Sequence, residues 1–342
     1  MSKLDDVLKK LNKDFGQNTI MILGDAELPE INTISTGSLM IDKILGSGIA
    51  KGRIAEIFGV ESSGKSTLAL QVVAQAQKNG DNVAYLDVEQ AVDLNYAKKL
   101  GINVDKLIFS QPSSAEQCLE IACQLADSGE VGLIVIDSIG ALAPQAELDG
   151  EMSDMTIGLI ARLMSKFLRK ITASLNENNC ALVCINQIRE AISTGFSMGP
   201  STTTPGGRAL KFFASQRVEL RKTTAIKEGD QVVGNNVKIK IVKNKIIPPM
   251  QIAEVPLIFG RGFNAEDEVI DLAIDYNLID KSGAWMTTHD GQRMQGKAKV
   301  KEYYANNPEL AAELKDKVVN ILKGVELEPV YEVDPETGEI VE

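Results

Sequence analysis

The most constraining feature of this chain is Gly59-Val60-Glu61-Ser62-Ser63-Gly64-Lys65-Ser66, which fits the pattern GxxxxGK[ST]. It follows an apolar run, Ile54–Phe58, and opens a helical pattern, Ser66–Lys78. The glycines let the backbone curl so that successive N–H groups face an anion. A helix N-terminus adds the positive end of its dipole. The pattern assigns Lys65 to the β- and γ-phosphates of a nucleoside triphosphate and the Ser66 hydroxyl to Mg²⁺, with Thr67 following. A loop of this kind needs a buried strand to feed it, so the rest of the chain is read against an α/β sheet.

That sheet is visible in the patterning. Strands are expected at Ile54–Phe58, Asn82–Val88, Lys106–Ser110, Leu133–Asp137 and Ala181–Asn186. Helical patterns separate them at Leu94–Leu100, Ala115–Asp127 and Gly158–Asn176. Continuous apolar strands alternating with helices indicate a mostly parallel sheet covered on both faces. Leu133–Asp137 ends in an acid, the expected partner of the phosphate loop in holding Mg²⁺. Asp87-Val88-Glu89 ends another strand, and parallel strands deliver their C-terminal ends to one rim. Glu89 is therefore a candidate general base, although a merely solvated carboxylate fits the pattern equally well.

Past residue 214 the texture changes. Gln216–Arg221 and Val237–Val242 alternate polar and apolar residues, with Gly229-Asp230 and Gly234-Asn235 as turn signals, so antiparallel strands are expected there. Residues 264–324 read as a small C-terminal domain carrying the lone Trp285. At the other end, Leu4, Leu8, Leu11 and Phe15 give a short amphipathic helix over 3–15. Thr19–Leu23 reads as an apolar strand, and residues 1–30 form a separate element that needs a neighbour, in its own subunit or another.

Charge is unevenly distributed. The net −11 includes seven acids and no Lys or Arg in Val325–Glu342, a tail expected to be largely disordered. Residues 205–245 hold ten basic side chains against three acids. Net charge therefore does not exclude nucleic acid as a partner. Cys118, Cys123, Cys180 and Cys184 lie in apolar stretches and form no CxxC pair, which indicates buried thiols rather than a metal site. His289, in a Thr-Thr-His-Asp-Gly segment, reads as a surface turn residue. No apolar run reaches membrane-spanning length and no signal peptide opens the chain, so a cytoplasmic location is expected.

Five segments occur in order: Glu56–Ser66, Asp87-Val88-Glu89-Gln90-Ala91, Ile136-Asp137-Ser138, Ile185-Asn186-Gln187-Ile188-Arg189 and Val242-Lys243-Asn244-Lys245. With these the chain resembles the bacterial-type RecA recombinases, a family with bacterial and phage-encoded members, from about residue 5 to 323. The resemblance implies a P-loop ATPase core over 31–263, an N-terminal polymerisation element and a small α/β C-terminal domain. It implies a helical homo-filament on single-stranded DNA that pairs it with homologous double-stranded DNA and exchanges strands, hydrolysing ATP with Mg²⁺ in recombinational repair. It also implies stimulation of a self-cleaving repressor in a DNA-damage response.

By the same resemblance Asp93 and Tyr96 hold adenine, and Glu89 is the base. Gln187 senses the γ-phosphate and reports to the DNA loop after it. Lys243 and Lys245 reach a neighbour's ATP, and Phe212 and Ile20 lie at the subunit interface. The loops at 149–157 and 188–207 match the family's DNA loops. Arg162, Ser165, Arg169, Arg189, Gly206, Gly207 and Arg208 hold phosphates without reading sequence, and Ile157 and Ile192 wedge between bases. Thr156 stands where the best-known members have His, and the second loop is one or two residues longer. Two other readings make different demands on the residues. A closed-ring motor predicts an arginine finger after the core, where Lys243 and Lys245 stand instead. A non-enzymatic ATP-binding mediator predicts loss of Glu89 or Asp137, and both are present.

Overall fold

The computed structural model describes residues 3–16, 19–22, 31–151, 158–190, 202–263, 265–322, 324, 332–333 and 340–341. The chain forms two compact units, 1–32 and 33–342.

The first unit is α1 (Lys3–Phe15) and the residues after it. No residue of α1 is buried, and Leu4, Val7 and Phe15 are exposed. Asn12 holds the returning chain. Its amide Nδ2 donates to the Ile20 carbonyl at 2.9 Å, and the Ile20 N–H donates to its Oδ1 at 3.0 Å. The strand expected at Thr19–Leu23 is not formed over the described residues 19–22. A strand needs a neighbouring edge to pair with, and Asn12 satisfies the Ile20 backbone instead.

The second unit opens with β1 (Thr33–Ile34), α2 (Leu39–Leu45) and β2 (Ile49–Ala50), which pairs with β1. Then follow β3 (Ile54–Gly59), α3 (Lys65–Lys78), β4 (Asn82–Asp87), α4 (Leu94–Lys99), β5 (Ile108–Ser110) and α5 (Ala115–Asp127). After β6 (Val131–Asp137) come α6 (Gln145–Asp149), α7 (Leu159–Glu177), β7 (Ala181–Gln187), β8 (Arg189–Glu190), β9 (Thr202–Thr203) and α8 (Ala209–Phe213). The central sheet is completed by β10 (Gln216–Glu228), β11 (Gln231–Asn244), β12 (Ile252–Ile258) and β13 (Gly262–Phe263). Its nine strands run in the order β13-β12-β11-β10-β3-β7-β6-β4-β5. The strands from β10 to β5 are parallel, and β10 to β13 are antiparallel.

Alternation within each parallel strand feeds two cores. Ala55, Ile57, Val83, Tyr85, Leu133 and Val135 face α2 and α3. Leu86, Ile134, Ile136, Leu182 and Cys184 face α5 and α7. All four cysteines are buried and free, and burial pushes the Cys118 and Cys180 thiols up to about 12. They are packing residues. Ser114 caps α5 by accepting from Gln117 N, a contact worth about 1 kcal/mol.

The antiparallel part departs from the sequence reading. Gly229-Asp230 does turn between β10 and β11, but Gly234-Asn235 lies inside β11, opposite Ile226 and Ala225. Gly234 is there because β12 passes close by: a Cβ would lie 2.4 Å from the Leu257 carbonyl oxygen.

The C-terminal lobe comprises α9 (Ala265–Asp275), β14 (Asp280–Ser282), β15 (Trp285–Thr287), β16 (Arg293–Gln295), α10 (Lys297–Asn306) and α11 (Pro308–Leu322). It has its own core, but Leu39 of α2 is part of that core. Ser38, the N-cap of α2, donates to Glu268 of α9 at 2.8 Å, and Met40 N donates to Glu268 at 2.9 Å. The lobe is thus fastened to the ATPase core. His289 lies in a turn as expected, but its side chain is largely covered: its ring stacks on Tyr304, and Nδ1 lies 2.8 Å from the Tyr304 hydroxyl. In the acidic tail, β17 (Glu332–Val333) pairs with β18 (Ile340–Val341). The rest of the tail, expected to be largely disordered, lies outside the described residues.

Burial pushes Glu268 up to about 7 and Asp42, which caps the loop before α2, up to about 6. Both values lie above their unfolded values of 4.5 and 3.8. The folded state then holds extra protons, so this stabilisation is present at low pH and is lost as pH rises through the folded values. The thermal midpoint is expected to fall between pH 5 and 8. Glu268→Gln should flatten the upper part of that profile, as followed by calorimetry.

Candidate nucleotide site and its neighbours

Parallel pairing puts the ends of four strands on one rim. Asp87 ends β4 beside Asp137 at the end of β6, and Gly59 ends β3 beside Gln187 at the end of β7. The phosphate loop springs from Gly59. A Cβ there would lie 2.2 Å from the Leu220 carbonyl oxygen, and one on Gly64 would lie 2.8 Å from Leu257 Cδ2. Ser62 takes a positive φ of 56°. The loop is therefore a narrow cradle of backbone N–H groups at the start of a fourteen-residue helix, α3. Ser63 Oγ and Lys65 Nζ each donate to the Val60 carbonyl at 2.8 Å. Burial lowers the Lys65 pKa, opposed by the negative charges of Asp137, Glu89 and Glu61.

Asp137 is buried, which raises its pKa. Hydrogen bonds from Tyr85 and Ser66 oppose the rise, and Glu89 and Asp87 add to it. The Tyr85 hydroxyl donates to Asp137 Oδ2 at 2.7 Å from within the core. Asp137 also fixes Glu89 through its backbone: its carbonyl accepts from Val88 N at 2.7 Å and Glu89 N at 3.2 Å. The Glu89 carboxylate accepts from Ser138 Oγ and from Gln187 Nε2, the latter at 3.2 Å. Asp87 holds the following turn, accepting from Ala91 N, Val92 N and Gln111 Nε2. An ammonium, a hydroxyl beside a carboxylate, and a second carboxylate oriented by a hydroxyl and an amide thus converge on one cradle. Such a set can bind a triphosphate and a divalent cation and accept a proton from water.

Asp93 and Tyr96 lie beside the start of α3. Asp93 caps α4, its Oδ1 accepting from Asn95 N and Tyr96 N. Tyr96 donates to Thr67 Oγ1 at 3.2 Å. Lys243 donates to the carbonyls of Lys211 and Phe212, both at 2.9 Å, at the end of α8. Phe212 on that helix is 72% exposed.

The two loops expected to bind DNA are described at their borders. Ile157 and Ile192 lie outside the described residues, as do 152–156 and 191–201. In the second loop, Arg189 and Glu190 pair with Thr203 and Thr202, so its base is a two-stranded ribbon rather than an open loop. Gly206 and Gly207 both take positive φ. Added Cβ atoms would lie 2.8 Å from Ile139 and 2.8 Å from Ala161. Arg162 and Arg169 are exposed on α7, and Ser165 between them donates to Ala161 O at 2.7 Å. Lys166 lies on the same helical stripe, four residues from Arg162. Arg208 is exposed just before α8.

Sequence reasoning gave no role to Tyr85, Ser138 or Asn186. Ser138 and Asn186 lay inside recognised segments. Tyr85 offered only a hydroxyl in an apolar strand. Asn186 joins the strands to the second loop: its Nδ2 donates to Glu56 Oε1 at 3.0 Å and to Pro205 O at 3.1 Å. Glu56 is fully buried and paired with Arg217 at 2.5 Å. Removing one partner of a buried ion pair strands the other charge. Arg217→Met is expected to lower unfolding free energy by about 3–5 kcal/mol, measured by urea denaturation.

The chain matches the model of the RecA N-terminal domain over residues 2–264 and that of the RecA C-terminal domain over 267–323. It is 48% identical over 312 residues to Protein RecA of Enterococcus faecium, covering 91% of this chain and 89% of that one. It is 48% identical over 317 residues to Protein RecA of Staphylococcus carnosus, covering 92% and 88%. Among solved structures it resembles the RadB recombinase, with a TM-score of 0.52 and 24% identity over 68% of this chain and 99% of that one. The RadB likeness speaks for the fold. The chain belongs to the RecA family, the recombinases that act as DNA-dependent ATPases and assemble into filaments. Among the described residues no helix is long and apolar enough to cross a membrane.

Proposed function

We propose that the rim site hydrolyses ATP with Mg²⁺ in a homo-filament on single-stranded DNA, and that hydrolysis is switched on by DNA through Gln187. The observation that carries this reading is the placement of Glu89, whose carboxylate is held between Ser138 and Gln187. Lys65 and the loop N–H groups bind the β- and γ-phosphates. Ser66 and Asp137 would hold Mg²⁺, which would neutralise phosphate charge. Water attacks the γ-phosphorus and the bond to the bridging oxygen breaks. Glu89 accepts the water's proton, and ADP and phosphate depart.

Gln187 ends β7, one residue before the second loop begins. DNA held by Arg162, Arg169, Arg189, Arg208 and the glycine backbone shifts Gln187, and with it Glu89. Ile157 and Ile192 spread the bases, while pairing with double-stranded DNA reads the sequence. The exposed apolar side of α1 supports self-association, with Ile20, Phe212, Lys243 and Lys245 at the contact. A self-cleaving repressor is a further partner on family grounds.

The test is ATP hydrolysis with and without single-stranded DNA. DNA should stimulate the parent protein. Glu89→Gln should lower turnover about 10²- to 10⁴-fold with nucleotide binding retained, and Lys65→Ala should lose binding. Gln187→Leu should retain nucleotide binding and lose the stimulation by DNA. Absence of DNA stimulation in the parent protein would overturn the reading.

A further inference from the structure

Gln71 is buried on α3, the helix that begins with Lys65 and Ser66. Its amide does not serve α3. Nε2 donates to the Phe263 carbonyl at 2.6 Å, and Oε1 accepts from the Phe263 N–H at 2.8 Å. Phe263 belongs to β13, a two-residue edge strand paired with β12 on one side. On its other side the Gln71 amide supplies the donor and acceptor that a further strand would provide. The fit is close. Gly262 has a φ of +77°, and a Cβ on it would lie 2.7 Å from Gln71 Oε1.

The same residues back the phosphate loop. Gly64 is the N-cap of α3, and Gln71 lies about two turns further along the helix. A Cβ on Gly64 would meet Leu257 Cδ2 at 2.8 Å and the Phe263 ring at 3.4 Å. Leu257 and Phe263 are register partners across β12 and β13. The side-chain amide on the loop's own helix therefore ties down the strand whose side chains press on the residue before Lys65.

We propose that Gln71 is a positioning residue for nucleotide binding: it clips Phe263 behind Gly64 and so fixes the loop that places Lys65. The proposal rests on the assignment of the nucleotide site made above. It assigns the Gln71 amide to loop geometry rather than to contact with nucleotide. Loss of the clip should weaken ATP binding more than it slows the chemical step, because the groups around Glu89 are held separately by Asp87 and Asp137.

The test measures affinity for a fluorescent ATP analogue, KM and kcat for ATP with saturating single-stranded DNA, and thermal midpoint. The variants are Gln71→Leu, Gln71→Glu and Phe263→Leu. Lys65→Ala serves as the site control, and Leu119→Ala, in the opposite core, as a destabilised control. Gln71→Leu should raise Kd and KM on the order of tenfold with kcat within about threefold. Gln71→Glu, which turns a carboxylate oxygen toward the Phe263 carbonyl, should raise Kd at least as far as Gln71→Leu does. Phe263→Leu, which keeps the backbone clip and withdraws the ring, should also raise Kd and gives the answer if Gln71→Leu fails to fold. Leu119→Ala should lower the midpoint without moving Kd. If Gln71→Leu, or in its place Gln71→Glu, and Phe263→Leu lower the midpoint and leave Kd unchanged while Lys65→Ala abolishes binding, Gln71 is a structural strut and the proposal is wrong. If Lys65→Ala binds the analogue as well as the parent does, the site assignment itself fails and the proposal falls with it.

Discussion

Parallel alignment of β3, β4, β6 and β7 is the constraint from which the site follows. Each strand is buried on both faces, so its polar backbone must be satisfied by its neighbours. Once Asp87 is paired with Asp137 and Gly59 with Gln187, four chain segments emerge together. The polar groups of the rim site need no long loops to reach one another. At or within two residues of their ends, β4, β6 and β7 supply a carboxylate, a hydroxyl and an amide, and the phosphate loop follows β3. The price is several polar side chains in or near the core, and each is answered by a named partner: Asp137 by Tyr85 and Ser66, and Glu56 by Arg217 and Asn186.

These partnerships also join regions with different tasks. Asn186 touches the buried Glu56 and the carbonyl of Pro205, near the end of the loop that follows β7, one residue before Gln187 meets Glu89. A displacement in the loop is thereby felt at two adjacent positions of β7. The C-terminal lobe is joined differently. Glu268 is fixed by Ser38 and Met40, and Leu39 enters the lobe's core. The lobe is thus seated through a helix end of the ATPase core rather than through a flexible linker.

Much of this was legible in the residues. The phosphate loop, the acid-ended strands and the continuous apolar runs follow directly from local chemistry, and the parallel sheet follows from them. The rest depends on distance in space. Gly234 looks like a turn residue because glycine usually serves turns, but its role is to admit the backbone of β12. Thr19–Leu23 has the composition of a strand, yet composition does not supply an edge to pair with. His289 sits in a turn-forming segment, and only the approach of α10 brings Tyr304 over its ring. Tyr85 could not be distinguished from an apolar strand residue until β6 placed Asp137 within reach of its hydroxyl.

Lys243 carries a consequence of its own. Its ammonium is bonded to the last carbonyls of the short helix that bears Phe212. An ammonium has three N–H groups and one location. In the proposed filament, reaching a neighbour's phosphate means leaving those carbonyls, so forming the contact uncaps α8. Chemistry in one subunit and the stiffness of the exposed Phe212 helix in the next would then be alternatives drawn on the same side chain. The joint between subunits would loosen or tighten with the nucleotide it encloses.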